Sequence, residues 1–140
     1  MMSAAKNNRT LLLVEDSDDD AFFFERSFAN SGVRAGLIRV AHGGEAVDYL
    51  LRASQDSADL SRTHFVFLDL KMPVMNGFEV LKWIKERGIA IEVIVLSGSD
   101  IESDIETARL LGASDYLVKP ISSEELKRRM DREEVADRNA

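Results

Sequence analysis

Four short apolar runs, each ending on a residue that carries chemistry, constrain this chain more than any bulk property. Leu11-Leu12-Leu13-Val14 leads into Glu15 and Asp16, and Phe65-Val66-Phe67-Leu68 leads into Asp69. Val93-Ile94-Val95-Leu96 leads into Ser97, and Tyr116-Leu117-Val118 into Lys119. Short, unbroken apolar runs punctuated by Gly and Pro read as strands buried on both faces, as in a parallel sheet. Asp69 also opens the turn Leu70-Lys71-Met72-Pro73. Ligands of open α/β folds bind at the carboxyl edge of the sheet. Three acids, a hydroxyl and a lysine at such strand ends define a candidate site.

The remaining pattern alternates. Strands are expected at 10–14, 37–40, 65–68, 91–96 and 115–118, and helices at 18–30, 44–52, 77–87, 100–111 and 122–134. That alternation predicts an α/β domain with a parallel sheet covered by helices on both faces and right-handed crossovers. Gly32, Gly88 and Gly112 stand where left-handed helix caps are wanted. Asp18 or Asp19 is expected to cap the first helix, and Ser122 or Ser123 the last. Phe24 and Phe28 are spaced for the core, with Phe22 and Phe23 half-buried; Leu126 and Met130 form the thin apolar stripe of the last helix. Residues 53–64 read as a surface loop, and His42 and His64 as ordinary loop or surface residues. The boundaries expected are a flexible extension at 1–8, one folded domain at 9–134 and a frayed tail at 135–140, without internal repeats.

Charge and composition narrow the function classes. A net charge of -7 opposes binding to nucleic acid or to an anionic membrane surface, both of which need basic clusters. With no cysteine there is neither a disulfide framework nor a thiolate metal site. The first nine residues lack the apolar stretch of a secretion signal, and no run is long enough to span a bilayer, so a cytoplasmic protein is expected.

If the first and third strands are neighbours, Glu15, Asp16 and Asp69 converge. Crowded carboxylates repel, which favours a proton or a hard divalent cation such as Mg²⁺ between them. Asp69 could then act as a nucleophile toward a phosphoryl group, with Ser97 donating a hydrogen bond to one oxygen and Lys119 pairing with another. The Asp16-x-Asp18-x-Asp20 spacing imitates a calcium loop, but Ala21 replaces its turn glycine and Ser27 its bidentate glutamate. A small-molecule phosphatase using an aspartyl phosphate would want an acid two residues past the nucleophile, where Lys71 stands.

The segments LLLVEDSDDD, FVFLDLKMPVMNGFEVL, VIVLSGSD and GASDYLVKP resemble the receiver domain of two-component response regulators, over roughly residues 9 to 130. The resemblance implies a flavodoxin-like, doubly wound α/β fold with five parallel strands in the order 2-1-3-4-5, an order the chemotaxis receiver also shows. It implies a single-domain response regulator that takes a phosphoryl group from a sensor histidine kinase onto Asp69 and passes the signal through a changed protein-binding surface. Such a protein catalyses only its own phosphorylation and dephosphorylation. Asp16 is implied as a direct Mg²⁺ ligand beside Asp69, Glu15 as acting through metal-bound water, and Lys71 as supplying its backbone carbonyl. Ser97 and Lys119 are implied as phosphoryl contacts, and Ser97 with Tyr116 as the switch pair. Lys71 and Ser99 hold positions that tune phosphoryl lifetime in the family. Glu15 stands where many members have Asp, and Gly98 where Ala is more common; neither change removes a functional group. The Glu-Asp pair, the stretched 53–64 loop and the lack of an output domain look like the small regulators paired with bacterial phytochromes. The kinase, the downstream partner, the choice between monomer and homodimer, and whether Lys119-Pro120 is cis stay open at the level of sequence.

Overall fold

The computed structural model describes residues 9–56, 63–98 and 101–139. The expected extension at 1–8, the middle of the expected loop and Ser99 lie outside the described residues. The strands are β1 (Thr10–Val14), β2 (Gly36–Val40), β3 (Thr63–Asp69), β4 (Glu92–Ser97) and β5 (Asp115–Val118). The helices are α1 (Asp18–Ser31), α2 (Gly43–Gln55), α3 (Gly77–Arg87), α4 (Glu102–Leu110) and α5 (Ser123–Asn139). All pairings are parallel, and the sheet order is β2-β1-β3-β4-β5, as the family resemblance implied.

Alternation along each central strand divides the core in two. Leu11, Leu13, Phe65, Phe67, Ile94 and Leu96 face one side, where Phe24 of α1 and Leu126 and Met130 of α5 cover them. Leu12, Val14, Val66, Leu68, Val93 and Val95 face the other, under Leu50 of α2, Val80, Leu81 and Ile84 of α3, and Ala108 of α4. Both faces being covered explains why these strands read as continuous apolar runs. Phe24 packs its ring 5.0 Å from that of Phe67, tilted by 57°. Each helical step turns the chain by about 100°, so the triplet cannot share one face. Phe22 and Phe23 are 65% and 50% exposed, further out than the half-buried placement expected of them.

Caps account for most boundaries. The cap of α1 is Ser17, whose hydroxyl accepts from the Asp20 N–H at 3.2 Å, not Asp18 or Asp19 as expected. Those two acids occupy the first turn instead, where they favour the positive helix end without capping it. Asn76 and Glu79 form a reciprocal capping box at α3, with bonds of 3.0 and 3.1 Å. The Ser122 hydroxyl accepts from the Glu125 N–H at 3.1 Å at the start of α5. Gly32, Gly88 and Gly112 all take positive φ. Several boundaries shift by a residue or two, and three elements extend into sequence not assigned to them: α2 continues to Gln55, β3 starts at Thr63 and so takes in His64, and α5 continues to Asn139. Each extension lies in polar sequence without an apolar period to read.

Candidate functional site

Sheet order and register assemble the site. The crossover leaving β1 runs toward β2 and the one leaving neighbouring β3 runs the other way toward β4, which opens a crevice between their carboxyl ends. Val14 pairs with Leu68, which brings Glu15, just past β1, level with Asp69. Asp69 in turn pairs with Leu96, setting Ser97 one step further along. The Lys119 N–H donates to the Ser97 carbonyl at 2.7 Å, closing the edge on the β5 side. Lys119 joins Pro120 through a cis peptide bond.

Glu15, Asp16 and Asp69 each present a carboxylate oxygen within 4.8 Å of the others. Glu15 and Asp69 are buried, at 1% and 4% exposure, and Asp16 is on the solvent side. Lys119 reaches over them, its Nζ 2.7 Å from Glu15 Oε1, 3.3 Å from Asp69 Oδ1 and 2.9 Å from Asp20 Oδ2. Burial pushes the Asp69 carboxyl up to about 7, the Glu15 charge adds to the rise, and Lys119 partly offsets both. Burial alone would lower the Lys119 ammonium; its bonds to Glu15 and Asp20 and the Asp69 charge outweigh that and raise it. One ammonium thus pairs with three carboxylates while Asp16 adds a fourth beside them, leaving the crevice short of positive charge. The donors are hard oxygens, partly buried and close-set, which suits Mg²⁺, Mn²⁺ or Ca²⁺ and no softer ion in particular.

The loop after β3 is held tightly. The Lys71 N–H lies 3.4 Å from Asp69 Oδ1, and its side chain is exposed. The Gly77 N–H donates to the Leu70 carbonyl at 2.9 Å, and a Cβ on Gly77 would fall 2.5 Å from the Asp69 carbonyl oxygen. Only glycine lets α3 start this close to the acid's own backbone. A cleft of about 410 Å³ flanks Lys119, walled by Phe23, Phe24, Pro120 and Ile121, with Asp19 and Asp20 on its acidic side.

Glu15, Asp16, Asp69 and Lys119 come together as the sequence suggested, with Ser97, 1% exposed, on the adjoining strand end. Tyr116 sits apart, half-buried on the opposite face of the sheet, against a groove of about 160 Å³ lined also by Ile105, Ala108 and Arg109. Two participants were missed. Asp20 reads in sequence as one of three helix-end acids, and only the fold sets it against a lysine 99 residues away. Arg39, on edge strand β2, donates to the Glu15 carbonyl from Nε at 3.0 Å and Nη2 at 2.8 Å. His42 heads α2 without a side-chain cap bond and takes no part in the cluster.

A doubly wound five-stranded sheet with an acid crevice and a lysine at its carboxyl edge defines a class, and comparison with known proteins gives the family. Residues 11–131 match the response regulator receiver domain, and the chain belongs to that family, the receivers of two-component signalling. It is 37% identical to the probable methanogenesis regulatory protein FilR2 of Methanothrix harundinacea (strain 6Ac), over 76% of this chain and 68% of that one. It spans only 34%, 29% and 28% of three further curated relatives, all regulators of greater length. Among solved structures it resembles the phosphorylated cyanobacterial phytochrome response regulator RcpA, at 34% identity and a TM-score of 0.69 over 86% of both chains. It also resembles the Mn²⁺-bound form of response regulator Rcp1, at 30% identity and a TM-score of 0.68 over 86% of this chain and 87% of that one. Phosphorylation-based signalling is the general role of this family. Among the described residues no helix is long and apolar enough to cross a membrane.

Proposed function

We propose that this chain is a cytoplasmic response-regulator receiver that accepts a phosphoryl group from a sensor histidine kinase onto Asp69 in a Mg²⁺-dependent reaction. The observation that carries the reading is Asp69 itself: a buried carboxylate at a strand end, with Lys119 at 3.3 Å and two further acids in reach. Residues 9–134 form the receiver unit of the proposal. Similarity to a phytochrome response regulator over most of both chains supports a kinase of the phytochrome type, and the Mn²⁺-bound relative supports a divalent cation at the acids.

In the forward step an Asp69 oxygen attacks phosphorus, the bond from phosphorus to the phosphohistidine nitrogen breaks, and the imidazole leaves with its electron pair. The product is a carboxyl–phosphoryl anhydride on Asp69. Lys119 exchanges its contact with Asp69 for one with a phosphoryl oxygen, for which its flexible stem is suited. The Ser97 hydroxyl donates to a second oxygen. Asp16 and Asp69, with the Lys71 carbonyl and with Glu15 through bound water, would hold Mg²⁺. When bound, the cation supplies neutralisation of charge on the transferring group. In a separate hydrolysis step water attacks phosphorus, the bond from phosphorus to the Asp69 oxygen breaks, and inorganic phosphate leaves the free carboxylate, so the protein turns over nothing but its own modification.

Output follows from the new contacts at Ser97. As Ser97 moves toward the phosphoryl group, Tyr116 follows it inward, and the surface formed by α4, β5 and α5 changes for a protein partner. The test is intact mass after exposure to a small phosphodonor with Mg²⁺, for the wild type beside Asp69→Asn. A single added phosphoryl group in the wild type, lost in the variant and on chelation, is the expected result. Labelling undiminished in Asp69→Asn would overturn the assignment.

A further inference from the structure

We propose that Arg39 is a positioning residue for the acidic pair Glu15 and Asp16, setting the geometry in which they meet a cation; this rests on the function proposed above. Strand pairing between β1 and β2 runs from Thr10 opposite Gly36 to Val14 opposite Val40. Glu15 is the first residue beyond it. Its N–H still donates to the Val40 carbonyl at 3.1 Å, so the ladder extends by one bond. On the carbonyl side of Glu15 the Arg39 guanidinium takes over, with Nε at 3.0 Å and Nη2 at 2.8 Å. The third nitrogen, Nη1, reaches Asp18 Oδ1 at 2.8 Å, at the head of α1.

A peptide is planar, so the Glu15 carbonyl and the Asp16 N–H turn together. Two donors from one rigid fork on that carbonyl fix the plane of the peptide joining the two acids. They also tie it to both the edge strand and α1. Lysine, a point charge with no fork, cannot reproduce this. The Asp18 arm adds little by itself, since its side chain is 93% exposed and exposed ion pairs are weak.

Positioning and charge make opposite predictions. If Arg39 acted only as a nearby positive charge, its removal would relieve repulsion and tighten cation binding. If it positions the ligands, removal weakens binding by roughly 10- to 100-fold, the range for groups that orient metal ligands. Titration calorimetry with MnCl₂ and MgCl₂ on the wild type, Arg39→Met, Arg39→Lys and Asp18→Asn decides between them. The expected order is wild type and Asp18→Asn together, then Arg39→Lys, then Arg39→Met weakest. Amide hydrogen exchange in metal-free protein supplies a second readout, with faster exchange in the segment 15–18 of Arg39→Met and none across β4.

Binding unchanged or tighter in Arg39→Met would overturn the proposal, as would full rescue by Arg39→Lys. So would exchange at 15–18 that matches the wild type. If Arg39→Met fails to fold by circular dichroism, Arg39→Lys carries the test, and wild-type affinity there sinks the idea. A wild type that binds neither cation would instead refute the metal-dependent function. The exchange comparison, run without metal, would still decide whether the clamp holds.

Discussion

At Asp69 burial and ionisation are in conflict. Its carboxyl, ordinarily at 3.8, is pushed up to about 7 by burial and by Glu15. A carboxyl whose pKa rises on folding binds its proton more tightly in the folded state, so it penalises stability once ionised. The penalty is absent below pH 3.8, accumulates as pH rises toward 7, and is complete above it. Asp69→Asn should therefore stabilise the metal-free protein by about 2 kcal/mol or more at pH 8 and by much less at pH 4. Thermal melts in chelator at both pH values check this, and equal effects at the two would contradict it. Val74 is a second strained residue, β-branched yet at φ 67°, and fully exposed. The left-handed region costs such a residue roughly 1–2 kcal/mol, which exceeds the chain entropy added by glycine. Val74→Gly should then stabilise by about 0.5–1 kcal/mol by denaturant melts, with phosphodonor labelling unaltered. Destabilisation would mean that the valine contributes packing.

At the scale of elements, α1 and α3 tie the site to the core in different ways. α1 inserts Phe24 against Phe67 while Phe22 and Phe23 stay outside. Phe24→Ala should cost about 3–5 kcal/mol, as for other buried rings, and Phe22→Ala less than about 0.5 kcal/mol. α3 approaches through Gly77, where an added Cβ would meet the Asp69 carbonyl oxygen and the Leu70 Cα, both backbone atoms unable to swing aside. Gly77→Ala should cost about 1–3 kcal/mol and slow labelling at Asp69, because α3 can back off only by dragging the β3 end. A variant equally stable and equally quick would show that the loop absorbs the methyl group. Over its described side chains, α5 makes ion pairs within the chain. Lys127 pairs with Asp131 at 2.8 Å, and Arg129 with Glu125 at 3.0 Å and with Asp115 of β5.

For the whole molecule, cation, proton and fold are linked through one crevice. A ligand that binds only the folded state stabilises it by about 3 kcal/mol at a hundred times its Kd. Under the proposed function, saturating Mg²⁺ should raise the melting temperature by several degrees at pH 8 and by less at pH 5, where a proton competes for Asp69. Asp16→Asn should remove most of the gain. A shift that is independent of pH, or that survives Asp16→Asn, would place the cation elsewhere. The linkage also opposes Asp69's own penalty, since the charge that destabilises the empty site is what the cation would neutralise.

The alternation of elements was legible in sequence because its signals are local. Buried strands write themselves as apolar runs, and helix ends as Gly32, Gly88 and Gly112. The site acids and Lys119 were legible for the same reason, since a residue ending an apolar run lies at a sheet edge wherever the strand goes. Strand order was not contained in any local pattern; it entered through resemblance and is set by how the helices cover both faces. Nor could Ser17 be chosen over Asp18 as a cap from spacing alone, since both side chains accept hydrogen bonds. The structure alone decided Asp20 against Lys119 and Arg39 against the Glu15 carbonyl, contacts that span 99 and 24 residues. Such partners are selected by packing, and a polar residue on a helix end or an edge strand looks the same in sequence whether it finds one or faces water.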